Sequence, residues 1–549
     1  MLASVCQPTC RLFMPAPKVI HQPQTQQALQ RGFEQLVQAV APTLGPLPRR
    51  AIAQNLDKFE LLDDGGLIAR RIIAIPDQQA DAGLMLLRQA LWKMNQTLGD
   101  GTATLAVLFQ QIYAEGRRFL AAGCDPNRLR AHLLRLLPPL SQRLVKDARQ
   151  LRSQEELSAL AFSLCYDEAM AVSLGEIIYT LGRFGQVDVR AGHSRHLRHN
   201  YVEGSYWRGG AQSQEMLRGT TRAIAEMQDA AILISDAEVE EPAELVPVMQ
   251  LALRGGIKQL LLVVNSISEK GLSVVLDERL REKIRTIVVK LDEFVPADLQ
   301  QAQSDIALLT GGHPILQAAG ETLADARASD FGSARWVWAD DKNFGFASGG
   351  GAPQDILATV QRLRAAYDES SDDVARARLL GRLGRMNGGL ATLYVGSIAQ
   401  DEIRQRKDLA ERATRALRSA SVGGVIPGGG VAMLGCRDWL LDEQATGDEE
   451  LEARAARQIM AKALEAPTRQ LLLNAGYDPS EVLAQLTDYE TDTGFDVMRG
   501  RFVDMAVAGI VDVAQVQVAA LQRAVMSAAL ALTIDVLVLH REPETMTEP

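Results

Sequence analysis

Apolar residues recur every three or four positions near the start of the chain. The segment Gln26–Leu44 has this spacing, which predicts an amphipathic helix ending at the breaker Gly45-Pro46. A second helix is predicted over Ala80–Leu98, where one apolar stripe keeps the same period. The glycines on either side of Asp100 end that helix, and Thr102 is predicted to cap the next one.

The centre of the chain alternates short β-rich runs with helical stretches, which is typical of a parallel sheet built from βαβ units. After Ser397 the pattern is helical again, and the glycine-rich segment Gly423–Gly430 leads into a further helical part. Two helical ends therefore enclose an α/β insertion, which predicts one discontinuous helical domain. The predicted central strands and helices are, in order, Ala231–Ile234, Ala243–Leu253, Leu260–Val264, Ser273–Lys283 and Ile284–Val289.

Charge and cysteine content narrow the class of protein. A net charge of -10 argues against a protein that coats nucleic acid, because phosphate binding needs a basic surface. Five scattered cysteines do not form a disulfide framework, so a cytoplasmic protein is predicted. The most apolar stretch, Ala524–Leu539, contains Asp535 and is shorter than the ~20 residues that span a bilayer. No membrane partner is expected.

Four loops have the composition of phosphate or cation contacts. The loop Gly99–Thr104 is the most informative, because its glycines let backbone N–H groups approach an anion and Asp100 can hold a Mg²⁺ bridging phosphate oxygens. A plain turn before a helix has the same composition, so one such loop alone is weak evidence. The other three loops are Thr43–Pro46, Asp64–Gly66 and Gly428–Gly430.

The order of these motifs resembles that of the group I chaperonins. TLGP, DDGG, GDGTAT, LTGG at Leu309–Gly312 and GGVIPGGGVAM at Gly423–Met433 follow one another as in that family. The resemblance covers about Gln26–Leu539 and implies an α+β multidomain chaperonin fold. It implies a mainly helical equatorial domain (1–146 and 423–549), a small intermediate domain (147–202 and 391–422) and an α/β apical domain (203–390).

The resemblance also implies ligands and the residues that bind them. The ligands are ATP and Mg²⁺, with K⁺ as a further candidate, and Asp100 matches the magnesium ligand. Asp64 matches a catalytic carboxylate near the attacking water. The nucleotide-binding positions are Thr43, Leu44, Gly45, Pro46, Asp63, Asp100, Gly101, Thr102, Ala103, Thr104, Gly429, Asp496, Val497, Met498 and Asp512.

Three positions depart from the family pattern. The family's phosphate-binding lysine corresponds to Asp63, a threonine of its phosphate loop is Ala103, and its catalytic aspartate of the intermediate domain aligns with Arg412. A guanidinium has five donors and no acceptor, so it cannot orient or deprotonate water. Loss of a general base typically costs about 10² to 10⁴ in rate. Slow or absent hydrolysis is therefore predicted.

Asp408 is the candidate to replace the missing carboxylate. It lies one helical turn before Arg412 and on the same helix face. A carboxylate displaced by a turn rarely recovers in-line geometry. The alternative for Arg412 is an exposed helix residue paired with Asp408 or Glu402.

The apical region departs as well, because a polar loop replaces the family's apolar one. The remaining candidates for binding non-native polypeptides are Met216, Val246, Met249, Leu272 and Leu276, with Asp277 where an apolar residue is expected. Packing of these residues against the sheet is an equally good explanation. The histidines His193, His196 and His199 have a spacing that suggests a metal site, but the arginines between them favour a solvated basic loop.

Two functions follow from the resemblance. The first is an ATP-regulated chaperonin that self-associates into a seven-membered ring, single or double, and assists folding of non-native proteins. The second is a divergent chaperonin-like scaffold or holdase with impaired hydrolysis and a specialised partner. A co-chaperonin is a doubtful partner in either case. A third hypothesis, an unrelated phosphotransfer enzyme using Asp64 and Asp100, explains the loops but not their order.

Overall fold

The structure is a computed structural model. It describes residues 18–55, 58–62, 64–182, 185–192, 194–217, 224–292, 296–370, 372–386, 389–397, 400–442, 450–489 and 492–539. The chain divides into two compact units. We call Met1–Val172 with Leu409–Pro549 the terminal unit, and Ser173–Asp408 the central unit.

Helices dominate the first part of the chain. Its elements are β1 (Lys18–Ile20), α1 (Gln24–Val40), β2 (Ala51–Asn55), β3 (Lys58–Leu62), α2 (Gly65–Arg71), α3 (Gln78–Leu98), α4 (Thr102–Ala121), α5 (Pro126–Val145), α6 (Gln154–Cys165) and α7 (Glu168–Leu181).

Strands and helices alternate in the middle part. Its elements are β4 (Gln186–Ala191), β5 (Arg198–Glu203), β6 (Ser205–Arg208), β7 (Ala225–Ile234), β8 (Glu238–Val239), α8 (Pro242–Arg254), β9 (Gln259–Val264), β10 (Ser266–Ile267), α9 (Glu269–Leu276), α10 (Glu278–Arg281), β11 (Arg285–Lys290), α11 (Pro296–Thr310), β12 (Gly332–Ala339), β13 (Asn343–Gly349), α12 (Pro353–Glu369), α13 (Asp373–Met386) and β14 (Gly389–Val395).

The last part is again mainly helical. Its elements are α14 (Gln400–Gly423), β15 (Val425–Pro427), α15 (Val431–Asp442), α16 (Leu451–Ala475), α17 (Pro479–Leu486), β16 (Thr493–Asp496), β17 (Arg501–Asp504), β18 (Val511–Val513), α18 (Ala514–Ala531) and β19 (Leu537–Leu539).

The terminal unit is a helical body built from both ends of the chain. Helix α4 packs against α16 and α18, and α1 packs against α3. Phe33 meets Phe109 and Tyr113 edge-on at ring-centroid distances of 4.7 and 4.9 Å, and burial raises the pKa of Tyr113 to about 12. Buried apolar side chains therefore join segments that are far apart in sequence, as the hydrophobic pattern predicts.

The central unit is organised around a six-stranded sheet in the order β11-β9-β7-β12-β13-β6. Strands β7, β9 and β11 are parallel, as predicted from the βαβ pattern. Strands β12, β13 and β6 extend the sheet in antiparallel register, which the sequence pattern did not predict. A second sheet has the order β4-β14-β5.

Two of the predicted helices have different ends in the structure. The helix predicted over Ser273–Lys283 is two helices, because the Asp277 carboxylate accepts the N–H groups of Arg279 and Leu280 and starts α10 there. Helix α1 ends at Val40, and a 3₁₀ turn occupies Ala41–Thr43. Within the described residues, no helix is both long enough and apolar enough to cross a membrane. The three-domain boundaries remain a prediction beside the observed two units.

Candidate functional site

Asp64 lies at the start of helix α2 and is held from three sides. Its Oδ1 accepts the backbone N–H of Leu67 at 2.9 Å, which caps the helix, and the side-chain amide of Asn95 at 3.0 Å. Its Oδ2 lies 2.6 Å from Nη1 of Arg412. A Cβ atom at Gly66 would lie 2.2 Å from the Asn95 amide, so only glycine lets α2 approach α3 this closely. The DDGG motif therefore fixes Asp64 in place.

Asp100 lies between two glycines with left-handed backbone. Gly99 has φ 76° and ends α3, while Gly101 has φ 79° and begins α4. Burial raises the pKa of Asp100, and the Asp64 charge raises it further, while the Gly101 N–H and Arg412 oppose that shift. Asp100 is thus a partly buried carboxylate close to a second carboxylate.

Arg412 contacts this loop through its backbone as well. A Cβ atom at Gly99 would lie 2.4 Å from the Arg412 carbonyl oxygen, so α14 lies directly against the GDGTAT loop. The Arg412 side chain is only 12% exposed. The alternative of an exposed residue paired with Asp408 or Glu402 is wrong: its ionic partner is Asp64. Asp408 belongs to the central unit, and its rescue role remains a prediction.

Thr102 does not cap helix α4 as predicted. Gly101 is the capping residue, and Thr102 is the first residue inside the helix. Its side chain is buried at 3% exposure, and its Oγ1 has no hydrogen-bond partner among the described residues. Because the first turn of a helix presents unpaired N–H groups, the start of α4 can bind an anion.

Asp512 and the PGGG loop belong to the C-terminal part of the chain and lie near Asp100. Strand β15 pairs with β18, which places Asp512 opposite Ile426. Burial raises the pKa of Asp512 to about 7, the Asp100 charge adds to that shift, and the Gly430 N–H opposes it. Asp100 and Asp512 are therefore close neighbours, although they are far apart in sequence.

The TLGP loop is held beside the DDGG loop. The Asn474 amide donates to the carbonyl oxygens of Ala41 and Leu44, both at 2.9 Å. A Cβ atom at Gly65 would lie 3.3 Å from Thr43 Oγ1 and 3.7 Å from Thr102 Cγ2. The TLGP, DDGG and GDGTAT loops therefore meet around Gly65.

Some predicted nucleotide-binding residues have no described contact with the TLGP, DDGG and GDGTAT loops. The Asp496 carboxylate accepts the N–H groups of Met498 and Arg499 at 2.9 and 3.2 Å, so it closes a turn. Val497 belongs to a small apolar cluster with Leu434, and Met498 is 62% exposed. Asp63 lies outside the described residues. Nucleotide roles for these positions remain predictions.

The described residues have the features that a Mg²⁺–nucleotide site needs. Asp64 and Asp100 lie near the Arg412 guanidinium and Asp512 lies near Asp100, so the carboxylates outnumber the guanidinium and leave negative charge for a cation to neutralise. No preformed cluster of three or more metal-binding side chains occurs in the described part of the chain. Mg²⁺ commonly uses one or two carboxylates and completes its shell with phosphate oxygens and water, so the arrangement fits.

The predicted polypeptide-binding residues differ in exposure. Met216 and Met249 are buried, and Met216 Sδ accepts the N–H of Val288 at 3.4 Å. Val246 is 41% exposed on α8, while Leu272 and Leu276 on α9 are half-buried. Of the five, only Val246, Leu272 and Leu276 can contribute to a polypeptide-binding surface.

The histidine motif does not assemble a site in the described residues. His199 lies on β5, 3.3 Å from the Glu176 carboxylate, and the Ser194 hydroxyl donates to the His196 carbonyl oxygen at 2.7 Å. His193 lies outside the described residues. The basic-loop interpretation of this motif remains a prediction.

Sequence reasoning missed three residues of the site. Asn95 is a polar residue in the otherwise apolar stripe of α3, which was a usable signal, and Asn474 tethers the TLGP loop. Burial raises the pKa of Tyr166, and the charges of Asp100 and Asp512 raise it further, so Tyr166 lies near these carboxylates. Nothing in the sequence marks Tyr166.

Comparison with known proteins agrees with this architecture. Residues 36–542 match the model of the TCP-1/cpn60 chaperonin family, and the chain belongs to that family. A similar solved structure is the chaperonin gp146 from the bacteriophage EL 2 (Pseudomonas aeruginosa) in the presence of ATP-BeFx. Crystal form I has 16% sequence identity and a TM-score of 0.77, covering 95% of this chain and 99% of that one. Crystal form II has 18% identity and a TM-score of 0.68 with the same coverage. The predicted multidomain α+β chaperonin fold is confirmed.

Proposed function

We propose that this protein is a ring-forming chaperonin subunit that binds Mg²⁺–ATP, holds non-native polypeptides and hydrolyses the nucleotide slowly. The observation that carries the proposal is the convergence of the TLGP, DDGG, GDGTAT and PGGG loops with Asp512 in the terminal unit. The solved relative with ATP-BeFx supports a nucleotide as the ligand.

Each part of the site has a proposed role. The start of α4, with Thr102 and the neighbouring glycines, binds phosphate oxygens through backbone N–H groups. Asp100 binds Mg²⁺, which lowers the repulsion between the carboxylates and the triphosphate. Gly45 and Gly429 have φ of 99° and 67°, a conformation that favours glycine and lets the backbone approach a ligand closely.

Slow hydrolysis is proposed because Arg412 stands where the resemblance to the family places a catalytic aspartate. Asp64 does not replace that aspartate freely, because its Oδ1 already accepts hydrogen bonds from Leu67 and Asn95. Arg412 itself has no acceptor with which to orient water. A site without a positioned base loses roughly 10² to 10⁴ in rate.

The remaining roles rest on the family. We propose a cytoplasmic protein whose copies assemble into a ring, with Val246, Leu272 and Leu276 as a weak surface for non-native chains. Apolar contact contributes ~25 cal/mol per Å² buried, so this reduced surface favours weak capture. A co-chaperonin partner is not part of the proposal.

A faster ATP-driven folding chamber is the second candidate. The retained loops favour it, whereas the Asp64–Arg412 pair disfavours it. The two candidates differ mainly in the rate of ATP hydrolysis.

Turnover and binding on the purified protein test the proposal. We expect calorimetry to detect Mg²⁺–ATP binding, electron micrographs to display rings, and phosphate release to be slow. Arg412→Asp restores a carboxylate at this position and should raise turnover at saturating Mg²⁺–ATP by orders of magnitude. Brisk turnover of the unmodified protein would support the folding chamber, and failure to bind any nucleotide would contradict both candidates.

A further inference from the structure

Arg412 is placed beside the phosphate loop by its backbone as well as by its charge. The Arg412 main chain lies directly against Gly99, the residue that precedes Asp100. From there its guanidinium reaches Asp64 through Nη1 at 2.6 Å. The side chain is thus a nearly buried cation at the start of the loop that precedes α4.

The guanidinium has unused hydrogen-bonding capacity. Its Nε is buried and has no hydrogen-bond partner among the described residues. A guanidinium can donate five hydrogen bonds, and a buried donor without an acceptor is costly. Nε is therefore a donor that a ligand could satisfy.

A second unpartnered group lies in the GDGTAT loop, which the Arg412 backbone contacts. The Thr102 hydroxyl is buried, lacks a partner in the described part of the chain, and stands in the first turn of α4. The two groups are on different elements, α14 and α4, and both have the chemistry of a phosphate contact. An anion that reached both groups would satisfy both donors.

The charge pattern of the sequence agrees with this interpretation. Asp63 stands at the position of the family's phosphate-binding lysine, and Arg412 stands at the position of its catalytic aspartate. By resemblance to the family, the sequence thus has a carboxylate in place of a lysine and a guanidinium in place of a carboxylate. Asp64, Asp100 and Asp512 would otherwise repel a triphosphate.

We propose that Arg412 is the residue that binds the terminal phosphate of the nucleotide, exchanging its Asp64 partner for phosphate oxygens. The inference rests on the proposed nucleotide site and specifies how that site distinguishes a triphosphate from a diphosphate. Guanidinium–phosphate pairs are frequently bidentate and stronger than neutral hydrogen bonds. Arg412 thereby serves recognition at a position where the family uses a catalytic carboxylate.

Calorimetry with two nucleotides tests this role. We would titrate the protein with Mg²⁺–AMP-PNP, a non-hydrolysable triphosphate, and with Mg²⁺–ADP. Arg412→Gln should weaken AMP-PNP binding about 10- to 100-fold, the range expected for a lost charged hydrogen bond, and change ADP binding less than threefold. Arg412→Lys should give an intermediate loss, because it keeps the charge without the bidentate geometry.

Asp64→Asn should change AMP-PNP affinity in the opposite direction to Arg412→Gln. It therefore tests the proposal even if an Arg412 variant fails to fold. Asparagine can still accept the Leu67 N–H, but it releases Arg412 and removes one negative charge. We expect AMP-PNP affinity to rise severalfold. Arg437→Gln is the matched control, since Arg437 is similarly buried and ion-paired, with Asp438 and Glu465, and should change neither affinity by more than twofold.

The outcomes separate this inference from the proposed function. If the unmodified protein binds neither nucleotide, the nucleotide site itself is refuted. If it binds both and Arg412→Gln weakens them equally or not at all, or if Asp64→Asn lowers AMP-PNP affinity, the pair is structural and Arg412 does not recognise the terminal phosphate.

Discussion

The terminal and central units use buried arginine–aspartate pairs differently. In the central unit Arg382 holds Asp305 with two hydrogen bonds of 2.7 and 3.0 Å, and the Asp305 side chain is 2% exposed. In the terminal unit Nη1 of Arg412 lies 2.6 Å from Asp64, and Nε of Arg412 has no partner among the described residues. A fully satisfied pair indicates a structural role, whereas a partly satisfied pair beside an uncapped helix start indicates a ligand.

Two glycines with left-handed backbone, one from each unit, differ in the space around them. Gly99 of the terminal unit has φ 76° and lies against the Arg412 backbone, whereas Gly256 of the central unit has φ 68° and an open surrounding. At Gly99 both the left-handed backbone and the lack of space for a Cβ atom favour glycine. At Gly256 only the left-handed backbone does. The close approach at Gly99 therefore joins the GDGTAT loop to α14.

The largest expected effect is the loss of unfolding free energy when the Arg382–Asp305 ion pair of the central unit is broken. Arg382→Met leaves the Asp305 carboxylate buried without its partner, which should cost about 3–5 kcal/mol of unfolding free energy. Hydrogen exchange of strand β9 in increasing urea measures this loss, and nucleotide affinity should not change. Arg378→Met is the control, because the Arg378 side chain is 56% exposed and its pair with Asp298 should contribute only about 0–1 kcal/mol. Equal losses in the two variants would contradict the structural role of Arg382.

The next largest effect is the difference in stability lost by alanine substitution at Gly99 and at Gly256. Gly99→Ala combines a left-handed backbone with a Cβ atom 2.4 Å from a carbonyl oxygen, so we expect a loss of about 2–4 kcal/mol. It should also weaken AMP-PNP binding by displacing α14. Gly256→Ala should cost only about 1–2 kcal/mol and leave binding intact. The measurements are denaturant unfolding and calorimetry, and an equal cost at both positions would refute the close approach at Gly99.

A smaller effect is the pH dependence contributed by Asp512. Its pKa is raised to about 7 in the folded chain, so the folded state binds a proton more tightly than the unfolded state. The stability of the protein without Mg²⁺ should therefore rise as pH falls from 8 to 6, by about 1 kcal/mol from this group. Asp512→Asn should remove that part of the dependence. Unfolding curves in EDTA measure it, and an unchanged slope in the variant would contradict the raised pKa.

The smallest effect concerns the exposed apolar surface of the central unit. Val246→Asp should weaken capture of a denatured protein by about 1 kcal/mol, or roughly fivefold, because little apolar area is lost. Leu357→Asp, at an exposed position of α12, is the control and should have no effect. Suppression of client aggregation is the readout. A full loss of capture in the Val246 variant would mean that the surface is larger than proposed.

Sequence patterns predicted elements better than their partners. The period of the apolar residues located α1, α3 and the parallel strands, because each pattern reflects one buried face. It did not predict the antiparallel strands β12, β13 and β6, whose pairing depends on contacts far along the chain. Thr102 was wrongly predicted as a cap, because a left-handed Gly101 takes that position.

The sequence by itself determined the family, the order of the phosphate loops and the charge changes at Asp63 and Arg412, because these depend on residue type and spacing along the chain. Only the tertiary structure decided that Arg412 pairs with Asp64, that the Asp100 charge raises the pKa of Asp512, and that the buried Thr102 hydroxyl has no partner among the described residues. Those properties arise from distance and burial between distant segments. Packing of the helices brings the segments together, and no local pattern encodes the resulting distances.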